Sequence, residues 1–143
     1  MSNDATEQFS DFDELLPEIN EFNAPYWEGL SAGDVRLQHC NGCGANQYPA
    51  ESFCYECGAT DLEWRTVAGD GEVYSFIIVH QAYHPAFKQF LPYTVAIVQM
   101  DDGPRMLAAM PNLSAPVAIG DRVKPRIQAV NNERSVLMYE PAA

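Results

Sequence analysis

A chain of 143 residues has room for one domain, or one small domain with an accessory module, which excludes a large multidomain machine. With 47% hydrophobic and 20% charged residues it is neither a disordered polar chain nor a fibrous one, and it should bury a core. The 8 Lys+Arg against 20 Asp+Glu give a formal net charge of −12, an imbalance that argues against a protein whose main task is to grip phosphate backbones.

The acidity is local. Residues 1–34 hold nine acids and no base, which leaves 11 acids against 8 bases, or −3, for residues 35–143. No basic segment precedes an apolar stretch at the start, and the longest apolar runs, such as Phe76-Ile77-Ile78-Val79, fall far short of the roughly 20 residues a membrane helix needs. The expectation is a soluble, cytoplasmic protein without a membrane partner.

In chain order, residues 1–10 are polar and should fray. Leu15, Leu16, Ile19 and Phe22 then recur at the spacing of one helix face, with Pro17 in the first turn of a short helix. Asn23 reads as the cap of a second helix, with Pro25 in its first turn, Tyr26, Trp27 and Leu30 on its apolar face, and Gly33 as its left-handed stop. These helices form an acidic arm over residues 1–34. From Trp64 onward the texture is that of strands: Val73–Gln81, Tyr93–Asp101, Arg105–Met110, Asp121–Val130 and Ser135–Glu140, with turn signals at Gly69-Asp70-Gly71, Asp102-Gly103, Gly120 and Asn131-Asn132. Five such strands suit a small closed antiparallel barrel, although an SH3-like barrel or a small sandwich would give nearly the same string.

Between arm and strands, residues 35–64 contain every cysteine in two matching segments, Cys40-Asn41-Gly42-Cys43-Gly44 and Cys54-Tyr55-Glu56-Cys57-Gly58. A CxxC pair lets two thiolates on one tight turn reach the same ion, and two such turns complete a tetrahedron of sulfurs. Gly44 and Gly58 stand at equivalent places, where a positive φ turns backbone N–H groups toward the sulfurs. The metal ligands are therefore Cys40, Cys43, Cys54 and Cys57. Zinc is favoured, and a rubredoxin-type iron stays open. With all four positions filled by protein, the ion is structural, and it supplies the folding free energy that so short a segment cannot gain from burial. His39 is read as a bystander.

The segment Gln81–Pro92 breaks the strand pattern. Tyr83, Phe87 and Phe90 could flank a flat or acyl group while Lys88 meets a phosphate; the bland reading, which is favoured, is a short capping helix from Pro85 to Leu91 that plugs the barrel with Phe87 and Phe90. Val73, Ile77 and Val79 are expected on one face of their strand, with apolar residues on the other face as well, so that face needs cover. Arg122, Lys124 and Arg126 alternate on one strand face, most simply as a solvated edge. No GxSxG, P-loop, GxGxxG or HExxH occurs, so catalysis by this chain alone is not expected and no catalytic residue is assigned.

Taken together, Tyr26-Trp27-Glu28-Gly29-Leu30, the ribbon from Leu37 to Gly58, Leu62-Glu63-Trp64, Gly69–Ser75, Leu91-Pro92-Tyr93 and Asp101-Asp102-Gly103 resemble the DUF35 family over about residues 22–140. The resemblance implies a rubredoxin-like zinc ribbon followed by an OB-fold, in proteins encoded beside thiolases. It also implies a non-catalytic, hetero-oligomeric partner of a thiolase-like or lipid-transfer-protein-like enzyme acting on acyl-CoA, with the CoA ester at the shared interface. Some members of that family have lost these cysteines, in keeping with a structural ion; here all four are kept. The expectation is an α+β, mainly β chain in three parts: arm (1–34), zinc ribbon (35–64) and five-stranded OB barrel (65–143). Tyr26, Trp27, Phe87 and Lys88 are the candidate contacts to CoA or partner. The rival from another class is a single-strand nucleic-acid binder, for which the aromatics exist and the basic groove does not. A third possibility is catalysis by the chain itself with His80 or His84 as base.

Overall fold

Segments rich in β-branched, aromatic and other apolar residues build eight strands in two sheets. The computed structural model describes residues 9–111 and 113–142. In the first sheet, β1 (Val35–Cys40) lies between the two-residue β2 (Asn46–Gln47) and β3 (Leu62–Val67), all antiparallel. The second sheet holds β4 (Gly71–Val79), β5 (Tyr93–Met100), β6 (Arg105–Met110), β7 (Arg122–Ala129) and β8 (Ser135–Pro141) in the order β6-β5-β4-β7-β8. The outer strands β6 and β8 lie against each other, so the five strands curl around a common interior, as an OB-fold requires.

One helix, α1 (Ala24–Ser31), buries Tyr26, Trp27 and Leu30. With Val35 and Leu37 of β1 they join Val73, Val98, Met100, Met106, Val123 and Tyr139 of the second sheet in a single core. At about 1.5–3 kcal/mol for each large apolar side chain buried, this shared packing ties helix, ribbon and OB strands into one unit. Two polar contacts fix the join: the Tyr139 hydroxyl donates to the Gly69 carbonyl at 2.6 Å, and Asn46 Nδ2 donates to the Asp102 carbonyl at 2.8 Å.

The first predicted helix does not form through Phe22. A 3-10 helix over Ser10–Leu15 stops there, and Leu15, Ile19 and Phe22 are exposed. Pro17 drives Leu16 to an extended ψ of 138°. Beyond it, Asn20 Oδ1 accepts from the backbone N–H of Phe22 and Asn23, while Asn23 Oδ1 accepts from Asn20 N–H. These side chains compete with the helix for its backbone donors. Asn23 still precedes α1, but its side chain is turned away to Asn20 and the Glu18 carbonyl and does not cap the helix.

The expected face of β4 is also corrected. A β-bulge between Val73 and Ser75 shifts the pairing with β5, so Tyr74 is an extra residue and the alternation changes phase. Val73 and Phe76 face the core, whereas Ile77 is turned outward.

Candidate functional site

β1 delivers Cys40 at its end, and the chain turns so that the Gly44 N–H donates to the Cys40 carbonyl at 2.8 Å. The second turn repeats this, Gly58 N–H donating to the Cys54 carbonyl at 2.9 Å. Gly44 and Gly58 have φ of +83° and +79°, a conformation that glycine adopts without steric cost. In each turn one N–H reaches a sulfur: Gly42 N to Cys40 Sγ and Glu56 N to Cys54 Sγ, both at 3.3 Å.

The four sulfurs lie within 4.8 Å of one another, with Cys40–Cys57 and Cys43–Cys54 each at 3.6 Å. A tetrahedral ion with bonds of about 2.3 Å sets its sulfurs about 3.8 Å apart, so the cluster is already the size such an ion demands. Cys40 and Cys54 are buried while Cys43 and Cys57 face solvent. Backbone N–H groups of Cys57 and Glu56 hold the Cys54 thiol down to about 7. Cys43, although the backbone at Ala45 favours its thiolate, is pushed up to about 12 by the neighbouring cysteines. Four thiols this close cannot all ionise until a cation stands among them. The arrangement is a metal-binding cluster with its four donors supplied by one chain.

His39 is engaged elsewhere, Nδ1 lying 2.8 Å from Asn46 Oδ1. Support for the two turns comes from residues that sequence reasoning missed. Gln38 and Gln47 are buried. Gln47 Nε2 donates to Gln38 Oε1 and to the Phe53 carbonyl, and its Oε1 accepts from Tyr55 N–H. Gln38 accepts from Glu51 N–H and donates to the Glu51 carbonyl. The amides thus fasten the loop before the second cysteine pair to β1. Hydropathy gives no sign of a glutamine that is buried with its bonds satisfied.

The other candidates are dispersed. Tyr26 and Trp27 are 4% and 9% exposed, Tyr26 against Tyr48 and Trp27 beneath the Arg134 guanidinium at 4.6 Å; burial also pushes the Tyr26 hydroxyl pKa upward. The segment Pro85–Phe90 is a 3-10 helix. Phe90 is buried with Phe9 and Met138, and Phe87 stacks on Tyr93 with ring centroids 5.4 Å apart, leaving Lys88 exposed. His80 is exposed, and His84 pairs with Glu14 at 2.8 Å while its Nδ1 accepts from Ala86 N–H. The basic trio is paired within the chain: Arg122 with Asp101, Lys124 with Glu140, Arg126 with Gln128. Among the described residues no helix is long and apolar enough to cross a membrane.

Two family models match the chain side by side: the ChsH2 rubredoxin-like zinc ribbon domain over residues 27–63 and the ChsH2 C-terminal OB-fold domain over residues 64–128. A chain of the solved Ltp2-ChsH2(DUF35) aldolase superposes with a TM-score of 0.78 at 30% identity, covering 90% of this chain and 100% of that one. The chain belongs to the DUF35 family. The DUF35 domain-containing scaffold protein of Methanocaldococcus jannaschii is 34% identical over 47% of this chain and 48% of its own length. Two longer proteins carry related sequence. The probable enoyl-CoA hydratase alpha subunit of Thermomonospora curvata is 36% identical over 64% of this chain and 28% of its own length. The 3-oxo-4,17-pregnadiene-20-carboxyl-CoA hydratase alpha subunit of Mycobacterium tuberculosis is 27% identical over 77% and 35%. This DUF35 chain thus spans about a third of those hydratase subunits.

Proposed function

We propose that this chain is the accessory, zinc-binding subunit of a thiolase-like or lipid-transfer-protein-like enzyme acting on acyl-CoA, holding the assembly together while the partner supplies the reacting groups. The observation that supports the reading is the likeness to a chain of the Ltp2-ChsH2(DUF35) aldolase, at 30% identity over 90% of this chain and 100% of that one. The metal site fits this division of labour. Zinc suits four sulfurs at this spacing, and a cluster with every donor taken from protein offers no coordination position for water or substrate. Its contribution is to hold β1, the two cysteine turns and the loop between them in one shape.

Lys88, exposed beside the aromatic group of Phe87, Tyr93 and Phe12, is the side chain best suited to meet a CoA phosphate at a shared interface. Tyr26 and Trp27 serve the partner indirectly, by seating α1 on the sheet. Co-expression with a thiolase-like catalytic protein of the same organism should yield a stable hetero-oligomer, and adding this chain to that enzyme should raise acyl-CoA turnover. Lys88→Ala should raise KM for acyl-CoA severalfold without dissolving the complex. Failure to associate, together with unchanged turnover, would overturn the reading.

A further inference from the structure

We infer that the outward face of β4, β5 and β6 is the surface that meets the catalytic partner, and that the partner presents there an apolar patch bordered by lysine or arginine. The inference rests on the function proposed above and adds to it the place and chemistry of the contact.

The register defines the face. β4 and β6 flank β5, with Ser75 and Leu107 opposite Ile97, Ile77 and Ala109 opposite Val95, and Val79 opposite Tyr93. On β5 and β6 the alternate residues, Ala96, Val98, Ala108 and Met110, are buried in the core, so the strands are apolar on both sides. A sheet with one solvated face should alternate apolar with polar. Here Ile77 and Leu107 are 63% and 70% exposed, and they sit two strands apart with Val95 and Ile97 between them. The bulge matters: without the extra residue at Tyr74, Ile77 and Val79 would point into the core with Val73. The chain departs from regular pairing, and the result is an apolar surface whose centre, at Ile77 and Leu107, stays open among the described residues, the pattern that marks an interaction site.

Charge decides what covers it. The row that closes one end is Glu72, Gln99 and Arg105, and the Arg105 guanidinium lies 3.8 Å over the Tyr74 ring and donates to Gln99 Oε1. Along the β6 side runs the acidic segment 9–17. Its Leu15, Leu16 and Pro17, with Leu107 and Ala109, line an apolar cavity of about 280 Å³ at the seam between β6 and β8. That segment carries the exposed acids Asp11, Asp13 and Glu14, of which Asp13 accepts from Asn131 and Glu14 pairs with His84. A second copy of a chain with net charge −12 would bring like charges together here. A partner with a basic border gains both apolar burial and complementary charge.

Leu107→Asp and Ile77→Asn should each reduce co-purification with the co-expressed thiolase-like partner at least tenfold, while zinc content and melting temperature stay at the wild-type values. Wild-type association should weaken as salt is raised. Phe53→Asn, an exposed aromatic of the ribbon, should bind as wild type. Wild-type binding by both face variants would overturn the surface and leave the function standing. Self-association of the wild-type chain in light scattering, abolished by Leu107→Asp, would show the occupant to be a second copy and would also overturn it. A wild-type chain that never associates would overturn surface and function together.

Discussion

Gln38 and Gln47 occupy positions where hydropathy alone would place leucines. Gln38→Leu removes a donor and an acceptor at once, leaving Glu51 N–H, the Glu51 carbonyl and Gln47 Nε2 short of partners. Unsatisfied buried groups cost about 1–3 kcal/mol each. The expected outcome is a loss of about 2–4 kcal/mol in urea denaturation of the metal-loaded protein; a change under about 0.5 kcal/mol would show that solvent satisfies the loop. At the surface, hydrogen bonds from Arg122 hold the Asp101 carboxyl below its ordinary range. A depressed carboxylate contributes stability that is present above its unfolded value of about 3.9 and is lost as pH falls through its folded value. Asp101→Asn should therefore lower the urea midpoint slightly at neutral pH and not at about pH 2, and an equal loss at both pH values would contradict the linkage. The cysteines were legible because their chemistry fixes their spacing. The buried amides were not, because their environment is made by the fold.

Elements were legible where one period ran uninterrupted. β5 and β6 bury every second residue, and they and β8 lie where the pattern placed them, while α1 follows from Pro25 and its aromatic face. The first helix was misread because Leu15, Leu16, Ile19 and Phe22 carry helical spacing across a proline and two asparagines that redirect the backbone. The bulge in β4 has no signature, since either phase buries apolar residues. Two expectations belong to this scale. The segment 9–17 is anchored by Phe9, buried against Phe90 and Met138, and by polar pins from Asn131 to Asp13 and from Arg134 to the Pro17 carbonyl. Phe9→Ala should free that segment to proteolysis at least tenfold faster while the urea midpoint of the remaining protein changes little; cooperative loss of the whole fold would show that the arm belongs to the core. Chelation should open residues 40–47 and 54–59 to amide exchange and leave β4–β8 protected. Uniform loss of protection would mean that the metal holds the entire fold.

Across the whole molecule, one core runs from α1 through β1 into the OB strands, so the ribbon is fixed relative to the sheet and the apolar outer face has a constant position beside it. Composition and cysteine spacing made the mainly β class and the ribbon readable; the joining of the two by Asn46, Gly69 and Tyr139 depends on pairs far apart in sequence, which no local pattern reports. The proposed role depends on a metal cluster whose four donors all come from protein. X-ray absorption at the metal edge of freshly reduced, purified protein tests this most directly. One zinc per chain in a shell of four sulfurs at about 2.3 Å is the result expected, whereas absence of metal, or an oxygen ligand marking an open coordination position, would contradict it.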